Sequence, residues 1–120
     1  MTFTNDKPIY IQMADLLCDD ILAGKFVADD RIPSVREFAV QMEVNTNTAV
    51  KTYDMLSRDN IIYNKRGLGY FVSPDARRQI LSARKREFLE QTLPSLFRQM
   101  SLLNISIDEV VGNWRAQDKQ

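Results

Sequence analysis

SVREFAVQMEVNTNTAVKTYDMLSRDNIIYNKRGLGYFV, residues 34–72, is the stretch whose reading decides the fold. It opens with Ser34-Val35-Arg36-Glu37, the form of a capping box. In that motif the Ser34 hydroxyl accepts from a free amide of the first helical turn, and the Glu37 carboxylate reaches back to the Ser34 amide. Val35, Phe38, Ala39 and Met42 follow at helical spacing, and the pattern stops at Glu43-Val44. Asn45 is a good N-cap for another helix, with Ala49, Tyr53 and Leu56 on its inward face. Two short helices joined by a tight turn make a helix-turn-helix. Beyond them, Ile61 to Asn64 and Tyr70 to Val72 read as two short strands around Lys65-Arg66-Gly67-Leu68-Gly69, a hairpin with a basic tip. The Gly-x-Gly of that tip is turn chemistry, because no helix follows it to present an N-terminus to a nucleotide phosphate.

Upstream, a helix is predicted from about Pro8 to Ala23, with proline in its opening turn and Gly24 just past its end. Tyr10, Met13, Leu17 and Ile21 form its buried stripe, and Asp15, Asp19 and Asp20 make the other face acidic. Arg31-Ile32-Pro33 fits a brief strand, since the residue before proline is pushed toward extended geometry. Downstream of Ser73-Pro74-Asp75, a long helical pattern carries Ile80, Leu81, Phe88, Leu89, Leu93, Leu96, Phe97, Met100 and Leu103. Pro94 should kink this helix or split it in two. Ser106-Ile107-Asp108-Glu109 is a second capping box, opening a last helix with Ile107, Val110, Val111 and Trp114 on one face. The fold class is therefore mainly α with a small β-hairpin wing. Residues 1–74 form a winged helix-turn-helix and residues 75–120 a helical region.

A chain of 120 residues has room for one real core and a small appendage, which excludes a large enzyme. Histidine is absent, removing the commonest general base and the commonest metal ligand together. The carboxylates are scattered over helix faces and mark no catalytic site, so no enzymatic activity, metal or cofactor is expected. Cys18 is the single cysteine and falls inside a helical pattern, which suits a small core residue in a reducing compartment. Met1 to Asp6 is polar and lacks the charged start and apolar run of an export signal. Charges interrupt every apolar run well short of the roughly 20 residues that cross a membrane. The expected location is the cytoplasm.

Sixteen basic residues balance sixteen acidic ones, so global charge says nothing about partners. Its distribution does. Residues 1–30 hold Lys7 and Lys25 against six aspartates, whereas residues 31–72 hold Arg31, Arg36, Lys51, Arg58, Lys65 and Arg66 against Glu37, Glu43, Asp54 and Asp59. Positive charge is focused on the helix-turn-helix and hairpin, where phosphate contacts would supply affinity for DNA and fix register on the duplex. The helix opening at Asn45 presents Asn45, Thr46, Asn47 and Thr48 with two free helix amides, and Asn47 is the candidate for an adenine edge. Other roles exist for each residue: Asn45 as a cap, Arg36 as a solvated charge, Lys65 and Arg66 as protection of an edge strand. A winged-helix protein-interaction module without DNA binding is the alternative function.

From Pro8 to Val72 the chain resembles the DNA-binding domain of GntR-family transcriptional regulators. Pro8-Ile9-Tyr10 and Gln12 match that family's opening helix, and Ile32-Pro33-Ser34-Val35-Arg36-Glu37-Phe38-Ala39 matches its Leu-Pro-Ser-x-Arg-x-Leu-Ala segment. Val44-Asn45-x-Asn47-Thr48 opens the recognition helix, and Gly67-x-Gly69-x-Phe71-Val72 is the wing. The Asn-x-Asn-Thr variant and the short helical C-terminal region look like the YtrA-type branch. The resemblance implies DNA contacts at Arg36, at Asn45, Thr46, Asn47 and Thr48, and at Arg66 with Gly67; Lys51 and Lys65 are further candidates on the residues' own reading. Thr46 stands where many members carry arginine, Val50 where many carry a basic residue, and Glu43 where a small turn residue is usual. The resemblance also implies a bacterial repressor acting as a homodimer on an inverted-repeat operator, with a two-helix tail too small to enclose a small-molecule effector. The residues agree on the dimer: Phe88, Leu89, Leu93, Leu96, Phe97, Met100, Val111 and Trp114 make more apolar surface than two helices can bury against each other.

Overall fold

A computed structural model of the chain describes residues 2–118. The element order is α1 (Ile9–Leu22), α2 (Val35–Met42), α3 (Thr46–Arg58), β1 (Ile62–Lys65), β2 (Gly69–Val72), α4 (Ala76–Glu87), a π-helical turn (Phe88–Thr92), α5 (Leu93–Leu103) and α6 (Ile107–Asp118). The mainly helical winged architecture expected from the sequence is the one observed. The chain divides into two compact units at Ser82/Ala83.

In the first unit α1, α2 and the hairpin gather around α3. Met13, Leu17 and Ile21 of α1, Phe38 and Ala39 of α2, and Ala49, Tyr53 and Leu56 of α3 are all buried. Ile62 and Val72 close the core from the hairpin, and Ala76 and Ile80 from the start of α4. Val35, Met42 and Cys18 pack on its edge. Tyr53 is the hub. Its ring lies 5.4 Å from Phe38 and edge-on to Tyr70 at 4.9 Å, and its hydroxyl donates to the Pro33 carbonyl. Burial pushes its phenol well above the usual range, so it stays a neutral donor.

The capping box is present in full: the Glu37 amide donates to Ser34 Oγ at 3.1 Å, and the Ser34 amide to Glu37 Oε1 at 2.9 Å. Those bonds from Ser34, aided by the charge of Arg31, hold the Glu37 carboxyl below the ordinary carboxylate range. Ser34→Ala should cost about 1 kcal/mol in urea unfolding. Because the folded-state pKa of Glu37 is depressed, its contribution is present at neutral pH and fades as pH falls through that value. Ser34→Ala keeps the main-chain amide that does most to depress Glu37, so Glu37→Gln is the variant that should show a shallower loss of stability on acidification; an unchanged acid limb there would mean that the ionised carboxylate adds nothing to the fold.

Glu43 ends α2 in the left-handed region, φ 57°, where the Val44 amide reaches back to the Ala39 carbonyl at 3.0 Å. The turn keeps its geometry although glutamate stands in place of a small residue. The strands pair antiparallel, Ile62 with Val72 and Lys65 with Gly69, so β1 starts one position later than the hydrophobic pattern suggests. Ile61 is occupied elsewhere: its amide closes the end of α3 on the Leu56 carbonyl, and its carbonyl accepts from Ser73. Where the sequence predicts a brief strand at Arg31-Ile32-Pro33, the chain makes only an isolated Arg31–Phe71 bridge, with main-chain bonds between residues 29–32 and β2, because the proline at 33 has no amide to continue the pairing.

In the second unit the interruption expected from Pro94 takes the form of the π turn ahead of it. Leu93 donates to the Phe88 carbonyl five residues back, while Thr92 and Leu93 keep right-handed helical angles. Pro94 has no amide to give the preceding turn, and a wider turn accommodates the missing bond. Ser106 caps α6 through the Glu109 amide at 3.2 Å.

Candidate nucleic-acid interface

The N-terminus of α3 is exposed at Asn45, Thr46 and Asn47 and half-buried at Thr48. Asn45 is the cap: its Oδ1 accepts from the Asn47 amide at 2.8 Å, and its carbonyl from the Thr48 amide at 3.0 Å. The expectation of two free amides here is therefore corrected. Asn45 takes up the Asn47 and Thr48 amides, through its side chain and its carbonyl, so these donors are committed within the helix. The Asn47 side chain projects from the first turn with Val50 and Lys51 three and four residues on, and all three are exposed. Val50, 39% exposed, gives this face a methyl-lined patch where a basic side chain would have offered charge. Asp54 continues the face one turn further and turns its far end acidic. The short polar side chains and Lys51 are thus confined to the N-terminal turns of this face.

Thr52 is a residue that sequence reasoning missed. It is fully buried, and its hydroxyl donates to the Tyr10 carbonyl of α1 at 2.9 Å, with the Thr48 carbonyl at 3.2 Å. This polar clasp ties α3 to α1 within the core. The signal was available, because Ala49, Thr52, Tyr53 and Leu56 complete a helical stripe that includes a threonine. Lys51 is steered as well, its ammonium lying 5.7 Å from the centroid of the Tyr10 ring.

Arg36 lies in the first turn of α2 and is exposed. In the wing, Arg66, Gly67 and Leu68 form the exposed tip. Gly67 adopts φ 80°, with the Leu68 amide closing on the Lys65 carbonyl at 2.9 Å, a turn that a side chain at Gly67 would strain. Lys65 behaves differently from Arg66. Its ammonium folds back over Phe71 at 5.0 Å and Tyr63 at 5.9 Å, two rings stacked 5.7 Å apart. The structure thus leaves Arg66 as the outward cation at the tip and lays Lys65 along one face of the hairpin.

The eight apolar tail positions lie in the second unit, where none of the described residues is buried. Phe88, Leu89, Leu96, Phe97 and Trp114 are exposed, Trp114 by 68%; Leu93, Met100 and Val111 are half-covered. Among the described residues no group of three or more His, Cys, Asp or Glu could hold a metal ion, and no helix is long and apolar enough to cross a membrane.

The sequence matches the family described as bacterial regulatory proteins, gntR family, over residues 9–72. It is 33% identical over 109 residues to the HTH-type transcriptional regulator YhcF of Bacillus subtilis, covering 91% of this chain and 88% of that protein. It is 34% identical over 87 residues to the HTH-type transcriptional repressor YtrA of the same organism, covering 72% and 67%. Among solved structures, a GntR-family transcriptional regulator from Bacteroides thetaiotaomicron superposes with a TM-score of 0.79 at 45% identity over 93% of this chain and 97% of that one. The DNA-binding domain of AraR in complex with operator ORX1 superposes with a TM-score of 0.56 at 27% identity over 60% of this chain and 93% of that one.

Proposed function

The chain belongs to the gntR family of bacterial regulatory proteins, and from that premise we propose that it is a cytoplasmic, homodimeric repressor of transcription that reads an inverted-repeat operator. Residues 1–74 carry the DNA contacts and residues 75–120 pair two copies. The observation that carries this reading is the exposed Asn47 at the N-terminus of α3, flanked by exposed cations on α2 and at the wing tip. In the docking we propose, the first turns of α3 enter the major groove, Arg36 and Lys51 meet phosphates, and Arg66-Gly67 runs along the adjacent backbone or minor groove. Thr46 and Thr48 add short polar contacts beside Asn47, while Asn45 keeps the helix capped. Lys65, lying over Phe71, contributes to the field along the wing. A twofold dimer fits half-sites about one helical turn (about 10 bp) apart, or a multiple of it.

Support for the repressor and operator parts comes from relatives: YtrA of B. subtilis carries the name repressor, and the AraR domain was solved on an operator. The second unit supports pairing over effector capture, because with no buried position among its described residues it offers a face rather than an interior.

Arg36→Ala and Arg66→Ala test the reading together. Each should weaken binding to specific and mixed-sequence duplexes alike, and each should make the plot of log affinity against log salt shallower by about one. A wild-type protein that shifts no duplex in the presence of competitor would point instead to a winged helix used for protein assembly. Binding with unchanged slopes in both variants would remove these two residues from the phosphate contacts.

A further inference from the structure

We propose that Arg31 is a further phosphate-binding residue of this protein, held ready at the base of the wing by the bare α-carbon of Gly69; the inference rests on the reading that the chain binds duplex DNA. The bridge between Arg31 and Phe71, with the pairs Tyr63–Phe71 and Lys65–Gly69, sets Arg31, Tyr63, Lys65 and Phe71 on one face of the hairpin. Lys65 already lies over the stacked rings of that face. The Arg31 guanidinium lies beside Gly69: a Cβ there would come within 3.2 Å of its Nε and 3.7 Å of one terminal nitrogen. Gly69 also has φ 112°, a conformation that L side chains rarely adopt, so two independent features keep this position bare.

The result is a half-buried arginine whose course is fixed by packing, while its donors have no hydrogen bond or ion pair among the described residues. Its charge is nevertheless felt by Glu37 in the first turn of α2, next to Arg36. Arg31 thus occupies the corner between α2 and the wing, the two elements that carry the cations flanking α3. A guanidinium presents a planar fork of donors matched to phosphate oxygens, and packing before the ligand arrives reduces the ordering that binding would otherwise require. An arginine serving only as a strut would need no open donors.

The test uses the full chain and a mixed-sequence duplex, since a phosphate contact is blind to sequence. Arg31→Gln keeps much of the length and removes the charge. It should bind roughly five- to tenfold more weakly at about 0.1 M salt, with a salt slope shallower by about one. Its melting should stay close to that of the wild type. Labelling of wild-type arginines with a dicarbonyl reagent, read by peptide mass spectrometry, supplies a measurement that needs no variant to fold: bound duplex should protect Arg31. An unchanged salt slope, or equal labelling with and without DNA, overturns the proposal while leaving the DNA-binding reading intact. Failure of the wild type to bind any duplex overturns both.

Discussion

Asn47→Ala is expected to lose roughly ten- to hundredfold in affinity for the operator while its affinity for mixed-sequence DNA changes by less than about twofold. An asparagine amide can give and take a hydrogen bond at once, which matches the N7 and N6 groups of adenine in the major groove. A correctly placed pair of this kind discriminates by about 1–3 kcal/mol. The structure makes the substitution clean. The cap of α3 is made by the Asn45 side chain and the Asn47 main chain, so truncating the Asn47 side chain leaves the capping bonds of the turn in place. Asn45→Ala is the contrasting control: it removes the cap and should lower stability by about 1 kcal/mol before any effect on DNA. The measurement is a panel of duplexes built on an operator recovered by selection, with each base pair offered in turn at every position. Wild type should prefer A·T at one position per half-site, and the variant should be indifferent there alone. Equal losses on operator and mixed-sequence DNA would end the case for Asn47 as a reader of bases.

Capping residues made the helices legible in the sequence. Ser34, Glu37 and Asn45 announce the start of α2 and α3, and all three make the bonds that their types imply. Apolar spacing gave the inward faces, because burial at i, i+3 and i+4 leaves a trace in residue type. Features set by a distant partner were harder to read. The spacing of Thr52 places it on the inward stripe of α3, but its partner, the Tyr10 carbonyl, is brought against it only by the fold. Lys65 looks like a tip cation until Phe71 and Tyr63 stack beneath it. Arg31 acquires its meaning from Gly69, far along the chain and brought near by pairing. The π turn was half legible: Pro94 announces an interruption, but a proline alone does not say whether the chain breaks, bends or widens. Among the candidate DNA contacts, residue type and exposure agree for Arg36, Asn47 and Arg66, whereas Asn45 is committed to the backbone.

Phe97→Asp combined with Trp114→Asp should turn a dimer into a monomer at micromolar concentration, the largest effect expected of any substitution in this chain. Phe97 is 49% exposed and Trp114 68%, and no described residue of their unit is buried, so the unit lacks a core of its own. Covering one large apolar side chain is worth about 1.5–3 kcal/mol. In a twofold pair each position occurs twice, so losing Phe97 alone removes about twice that, and the dissociation constant should rise by roughly a hundredfold or more. Replacement by carboxylates adds the cost of taking charge out of water, which makes reassociation through the same face harder still. Sedimentation equilibrium reads the mass, and thermal melting checks that the first unit, whose core uses neither residue, keeps its stability. The operator supplies the functional readout. When two half-sites are bound by one linked dimer, the second contact is made at high effective concentration; a monomer gives that up. The variant should therefore fall towards half-site affinity on the full operator while retaining its affinity for an isolated half-site. A variant that keeps the dimeric mass would show that the exposed faces of α5 and α6 are covered by something other than a second copy.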